Sequence, residues 1–400
     1  MTRPSMRLLI VSAYFDSHRG GIEIVAGRLA REFSRTGHAV TWVASDAGYA
    51  AGSCDEGIRR VPVPAFNGLE DALGLPYPIA QPMAFGAIRR EVARADVVML
   101  HDCLYPTNIV AFLAARWLGK PVVVTQHIGN VPYRSPLLRA SMKLLTRLVT
   151  RPMLARADQV VFISNITARA FADLRYRRPP RLIFNGIDAE IFHAATSEGE
   201  RAAARAHFGL TPDRPVALFV GRFVEKKGLH ILQQAARIGS DMDWVFAGWG
   251  KLDPREWGLP NVRVFSGLAG PSLARLYRAS DAFVLPSTGE GFPLVIQEAL
   301  ACALPVVCGA ETAGADERLA GLVHPVPVEG RDLHAAATDV VQAVGAAVAE
   351  QGRERLAEHA SLYSWSRAGQ LYLDLMSAIL AQPIAMPASA AAMWRPGMER

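Results

Sequence analysis

The sequence predicts an α/β protein built from two Rossmann-like domains that face each other across a cleft. Three observations predict it. Strand-length apolar runs alternate with helix-period segments along the chain. The alternation stops at an Arg/Ala-rich stretch, residues 198–215, that closes with Thr-Pro-Asp-Arg-Pro, and then restarts. The chain has 400 residues, enough for two domains at roughly 100–200 residues each.

In the first series, strands are expected at residues 7–13, 39–44, 97–100, 122–125 and 159–163. Helices are expected at 22–35 and 106–118. Continuous apolar runs of this kind suit parallel strands covered on both faces. In the second series, strands are expected at 216–220, 244–247, 262–265 and 282–285, with helices from Leu229 and Ser272. The expected divisions are residues 1–195 and 196–363 as the two domains. A last amphipathic helix at 364–381 is expected to pack back towards the first, and 382–400 is expected to be a loose tail.

Composition narrows the function. The chain is 50% hydrophobic and 20% charged, a globular balance. Its formal net charge of +6 favours an anionic partner. No basic block marks a nucleic-acid tail, so nucleic acid is not expected. Cys54, Cys103, Cys302 and Cys308 lack metal-pair spacing and read as reduced, packed thiols. The N-terminus reads as a strand rather than a signal peptide. The uncharged stretch 375–394 carries Pro383 and Pro387 and is too Ala-rich to span a bilayer. A cytoplasmic location is therefore expected.

Three motifs carry chemistry. Arg19-Gly20-Gly21-Ile22-Glu23 lies between the first strand and the first helix. Glycines there let backbone approach a ligand, and the helix start offers N–H groups to an anion. Gly221-Arg222-Phe223-Val224-Glu225-Lys226-Lys227-Gly228 follows the first strand of the second series, at the strand end where such sheets bind ligands. Arginine forks onto phosphate oxygens and lysine brings a point charge; Lys226 and Lys227 are two of only five lysines. In residues 286–299, Glu290 lies in a Gly-bearing loop and Glu298 on the helix behind it. The N–H groups of Leu294 and Val295 can hold a phosphate, while the two carboxylates can meet hydroxyls.

Together with further short matches, these motifs resemble the family 4 (group 1) retaining glycosyltransferases with the GT-B fold. The further matches are Gly37-His38, Ser164, Asn185-Gly186-Ile187-Asp188 with Phe192, Gly248-Trp249-Gly250, Phe265-Ser266-Gly267, Ser280-Asp281, and Pro305-Val306-Val307. The resemblance spans nearly the whole chain, and the order and spacing make it specific. It implies a hexosyltransferase-type enzyme (EC 2.4) that moves a sugar from a UDP- or GDP-linked donor to a hydroxyl. Retention, no metal and no cofactor are implied with it, and a place in cell-surface polysaccharide or glycolipid synthesis. It further implies that Arg222 and Lys227 clamp the diphosphate and that Glu298 meets the ribose. Glu290 would meet the donor sugar, and Gly20 and Gly21 bring backbone to it. His127 would lie near the transferred sugar, and Leu268 would contact the base through its backbone.

Three departures stand out. Pro293 replaces a frequent glycine and removes an N–H. Asp102, after His101, either binds the acceptor or caps a loop. Residues 311–325 match poorly and are assigned no site. Asp241-Met242-Asp243 spells a metal-binding DxD, but it precedes its strand and so lies at the wrong sheet end. Two alternatives stay open: a sugar-nucleotide epimerase of the same fold, and an inactive nucleotide-sugar-binding subunit. Finally, no Asp or Glu occurs from Cys103 to Ala157, and Arg134, Arg139, Lys143, Arg147, Arg151 and Arg156 recur at near-helical spacing. With Leu137, Leu138, Leu144, Leu145, Leu148 and Val149 beside them, they read either as a helix that docks on an anionic membrane or as a core-packed helix with a solvated basic face. In that family the acceptor side is the N-terminal domain, so a lipid-linked acceptor would fit.

Overall fold

The computed structural model describes residues 5–18, 20–49, 57–68, 77–129, 136–288 and 292–382. Its first sheet joins β1 (Arg7–Val11), β2 (Ala39–Ser45) and β3 (Ile58–Val63) to four later strands. A short antiparallel pair, β4 (Ala65–Phe66) and β5 (Ile79–Ala80), stands apart. The later strands are β6 (Val97–His101), β7 (Val122–Gln126), β8 (Gln159–Phe162) and β9 (Arg181–Leu182). Their order is β3-β2-β1-β6-β7-β8-β9, all parallel. The second sheet comprises β10 (Val216–Arg222), β11 (Asp243–Trp249), β12 (Val262–Phe265), β13 (Ala282–Leu285), β14 (Val306–Gly309) and β15 (Val323–Val326). It is also parallel, in the order β12-β11-β10-β13-β14-β15.

Local chemistry sets the element boundaries. The helix Gly21–Arg35 buries Val25, Ala26, Leu29, Ala30 and Phe33 on one face. It stops at Gly37, whose φ of +87° closes a helix that a residue with a side chain would strain. His38 then ties β2 to β1 by accepting the Met6 N–H at its Nδ1, 3.1 Å. Ser164 caps the helix Asn165–Arg169 by accepting the Thr167 N–H.

Strand β3 escapes the sequence pattern because its Ile-Arg-Arg-Val-Pro-Val run sits at a sheet edge with charges in it. Arg60 is nonetheless buried: its guanidinium lies 5.1 Å from the Trp42 ring centroid and pairs with Asp16 at 2.9 Å. The second domain's helix starts at Gly270 rather than at Ser272, because Ser272 closes its first turn by accepting the Ala269 N–H.

The helix Trp365–Ala381 packs on the helix Gly21–Arg35. Tyr372, Met376 and Ile379 lie in the first domain's core with Phe33 and Trp42. The Tyr372 hydroxyl reaches Thr125 Oγ1 at 3.1 Å. The chain crosses between domains in two places that touch: Ile187 bridges to Ser364, and a Cβ on Gly186 would collide with the Trp365 backbone. Residues 383–400 lie outside the described residues.

The basic segment is helical. The helix Pro136–Leu145 runs into a π-helical turn, Thr146–Thr150, and then into the helix Arg151–Arg156. Pro152 sits in the first turn of that last piece, where its missing N–H is tolerated. Arg139, Lys143, Leu144, Leu145, Arg147 and Leu148 are exposed. Arg151 pairs with Asp173 at 2.5 Å. Leu137, Leu138 and Arg134 fall outside the described side chains. Among the described residues, no helix is long and apolar enough to cross a membrane.

Candidate active site

In open parallel sheets, ligands bind beyond the carboxyl ends of the strands, where the strand order reverses. The first sheet reverses between β1 and β6, and the second between β10 and β13. Gly20 and Gly21 follow β1, and His101-Asp102 ends β6. Gly221–Gly228 ends β10, and residues 286–294 follow β13. The motifs therefore gather at the two switch points.

At the second switch point, Lys227 closes a single helical turn, Glu225–Lys227. Gly228 follows with φ +78°, and a Cβ there would collide with the Pro286 carbonyl. Only glycine permits that approach. The Thr288 N–H then donates to the Lys226 carbonyl at 3.1 Å. The β10 loop is thus strapped to the β13 loop. The helix Leu294–Ala301 begins directly after, with Pro293 as its extended cap. The N–H groups of Leu294 and Val295 stand in its unpaired first turn. Arg222 is half-buried at the last position of β10. Glu290 lies outside the described residues, as does Arg19.

Glu298 lies one turn into that helix, and its Oε2 accepts the Tyr277 hydroxyl at 2.9 Å. Burial lifts its carboxyl to about 7, against the opposing pull of the Tyr277 hydroxyl and the Arg28 charge. Glu298, Leu294, Ile24, Arg28, Asp188 and Trp365 line one pocket, so the second domain's helix meets the first domain's helix there. Arg28 pairs with Asp188 at 3.0 Å. Gln297 Nε2 donates to the Asn185 carbonyl at 2.9 Å. Leu268 is partly buried against the second core, just before the helix Gly270–Ala279.

At the first switch point the groups are buried and polar. His127 Nε2 lies 2.9 Å from His101 Nδ1. Burial pushes the His127 imidazole down to about 3, and His101 well below its usual value. Both rings are therefore neutral near pH 7. Asp102 holds a left-handed backbone, φ +68°. Its Oδ1 accepts from Gln126 Nε2, and burial lifts its carboxyl to about 8. Asn108 donates to the carbonyls of both His101 and Asp102, at 2.6 and 2.8 Å. Gly20 caps the first helix with Glu23 packed against it: a Cβ on Gly20 would collide with the Glu23 carboxylate. A Cβ on Gly21 would meet nothing within 4 Å.

Two motif members belong elsewhere. Asp281 directly precedes β13, accepts the Val216 N–H at 2.8 Å and pairs with Arg201 and Arg205, at the amino ends of the strands. Asp243 opens β11 and pairs with Arg214 at 2.9 Å, so the DxD stands at the amino end of its strand.

The comparisons with known proteins are consistent along the chain. Residues 19–191 match the model of Glycosyltransferase Family 4, and residues 214–346 that of Glycosyl transferases group 1. D-inositol 3-phosphate glycosyltransferase of Stackebrandtia nassauensis is 30% identical over 403 residues, covering 90% of this chain and 86% of its own. The chain belongs to the family 4, group 1 glycosyltransferases. A second relative of this glycosyltransferase, D-inositol 3-phosphate glycosyltransferase 1 of Catenulispora acidiphila, is 30% identical with coverage of 87% and 88%. Among solved structures, sucrose-phosphate synthase from Thermosynechococcus elongatus superposes with a TM-score of 0.68 at 20% identity, covering 93% of this chain and 100% of its own. Anabaena HepE in complex with UDP-glucose gives 0.66 at 18% identity, with coverage of 93% and 100%. The fold is GT-B, and the glycosyltransferase is an enzyme of transferase class 2.4.

Two residues at this glycosyltransferase's pocket, Arg28 and Tyr277, were invisible as motifs. Arg28 lies two turns beyond Gly21 on the first helix, a spacing that places it on the same face. Tyr277 carries no local signal, because its partner Glu298 lies 21 positions away.

Proposed function

We propose that this glycosyltransferase moves a sugar, with retention and without a metal ion, from a nucleotide diphosphate sugar to a hydroxyl acceptor. A UDP-linked donor is the first choice, since UDP-glucose is what HepE carries, and a GDP-linked donor the second. The transition state has oxocarbenium character, by analogy with glycoside hydrolysis. Negative charge grows on the departing diphosphate. Arg222, Lys227 and the helix start at Leu294 and Val295 stabilise it as fixed positive groups. Glu298 holds the ribose, Glu290 the donor sugar, and the Leu268 backbone the base. Gly20 and Gly21 bring backbone to the donor, and His127 borders the transferred sugar. The acceptor attacks from the face the diphosphate leaves, and the leaving phosphate takes its proton.

What carries this reading is the strap between Lys226 and Thr288. It ties the loop that carries Lys227 to the loop that leads into the helix at Leu294. The acceptor is assigned to cell-surface glycolipid or polysaccharide synthesis. A phosphorylated polyol such as the relatives are named for is one member of that acceptor class. The first domain is assigned to dock on the cytoplasmic face of an anionic membrane, because Leu144, Leu145 and Leu148 are exposed beside Lys143 and Arg147. A lipid-linked acceptor follows from that placement.

The test is a donor screen with purified protein, with and without chelator, reading nucleotide release and the anomeric configuration of the product. Retained configuration and chelator-resistant turnover are expected. An inverted product, an epimerised free donor, or activity restored only by Mn²⁺ would overturn the reading.

A further inference from the structure

The Gly248-Trp249-Gly250 motif ends β11 at the cleft edge, and its tryptophan has no place in the roles assigned so far. Its position follows from strand register. Trp249 pairs with Arg222 across the β10–β11 ladder, and register partners in a parallel sheet share a face. On the other side, Ala247 pairs with Phe265. Two places further on, that neighbouring chain has reached Gly267, with Leu268 next. Trp249 therefore stands between the diphosphate cation and the loop assigned to the base.

The backbone there is fixed. The Phe223 N–H donates to the Trp249 carbonyl at 2.6 Å, and the Leu252 N–H to the Phe223 carbonyl at 3.2 Å. A Cβ on Gly248 would collide with the Gly221 carbonyl, and one on Gly250 with the Phe223 backbone. Both glycines are thus required by close approach, and they hold one indole between them. That indole is 49% exposed, whereas Trp42 and Trp244 are completely buried. Among the described residues, the other widely exposed tryptophan, Trp117, has the Arg89 guanidinium 4.5 Å over its ring. Scattered apolar side chains on a surface need no explanation. A large flat one, locked at a strand's carboxyl end beside the clamp, has a position that a ligand would use.

We propose that Trp249 is the stacking platform for the nucleobase of the donor, an assignment that rests on the donor reading above. The group joined to the diphosphate on the Leu268 side is the nucleoside, and a base presents a π-face to an indole. Stacking tolerates any base, so Trp249 supplies affinity to uracil and guanine nucleotides alike, and the Leu268 backbone discriminates between their edges.

The test uses the full-length enzyme and its W249A and W249F variants, with UDP and GDP as probes by calorimetry and tryptophan fluorescence. Nucleotide is expected to quench the wild-type emission. W249F should lose most of that quench while binding within a few-fold. W249A should bind about tenfold or more weakly, with donor KM raised to match and kcat within about twofold. Unchanged thermal unfolding of W249F guards against a folding defect. A W249A that binds like wild type, or a quench that survives in W249F, overturns this assignment alone. Wild type that binds neither nucleotide overturns the donor reading and this assignment with it.

Discussion

His101 Nδ1 and His127 Nε2 meet at 2.9 Å in a buried pair that joins the ends of β6 and β7. Two neutral rings meet through one N–H···N contact, so His101 leaves the Nδ1 of His127 as the nitrogen open to other partners. If His127 borders the transferred sugar as proposed, His101 is its positioning residue. Replacing His101 with Leu is expected to lower kcat about tenfold or more, with donor KM nearly unchanged, and H101Q to recover part of the loss. Because both rings stay neutral, kcat should have no histidine inflection between pH 5 and 8. A wild-type-like kcat in H101L would remove the positioning role.

Removing a cation from the diphosphate clamp should cost transition-state stabilisation. Lys227→Ala and Arg222→Ala are each expected to lower kcat by about 10²–10³-fold at saturating donor, on the scale of losing an oxyanion donor. Turnover of K227A close to wild type, measured by nucleotide release, would contradict the assignment.

If Glu298 holds the donor ribose as proposed, its raised carboxyl is expected to make donor binding pH-dependent. Ribose hydroxyls are held best by the ionised carboxylate, so donor KM should rise as pH falls through about 7. Tyr277→Phe removes the hydroxyl that stabilises the anion, and it should move the inflection to higher pH. Glu298→Gln should abolish the inflection and raise KM throughout. A donor KM that is flat from pH 6 to 8.5 would show that Glu298 does not titrate in binding.

Asp102 couples stability to pH. Its folded-state carboxyl is lifted by burial to about 8, from 3.8. The folded protein therefore holds a proton that the unfolded chain releases between those values. Stability from this group is complete below the lower value and is lost as pH rises through about 8, at no more than about 1.4 kcal/mol per pH unit. Asp102→Asn tolerates the left-handed backbone and should flatten that dependence in urea unfolding. An identical pH slope in D102N would rule the coupling out.

Membrane docking is testable with vesicles. Wild type should co-sediment with anionic vesicles at low salt and detach at high salt, since each basic residue near the surface contributes about 1 kcal/mol. Changing Arg139, Lys143 and Arg147 to Gln should weaken binding strongly. If that triple variant sediments like wild type, the exposed leucines and cations are ordinary surface.

Four of the six strands of the second sheet were legible, β12 and β13 to the residue, because short apolar-rich runs lie between turn signals there, whereas β14 and β15 were not expected. Strand β3 was not legible, because Arg59 faces out at a sheet edge while Arg60 is packed in through Asp16 and two aromatic rings. The donor-side motifs were legible because strand, glycine and cation follow one another in the chain. The His101–His127 and Tyr277–Glu298 contacts were not, since 26 and 21 positions separate the partners. No local pattern records a pairing that only the strand order creates. The sequence also could not say that Asp281 serves β10 rather than substrate, since an Asp looks alike in either place.

The helix Trp365–Ala381 completes a core whose other buried members all lie at or before Ile183. Domains commonly fold in order as the chain leaves the ribosome. Here the first domain emerges with Phe33 and the inner face of its opening helix uncovered, and it stays so until the entire second domain has been synthesised. Translation order and folding order therefore part company. A first half cut at the domain boundary would lack the part of its core that Tyr372, Met376 and Ile379 supply.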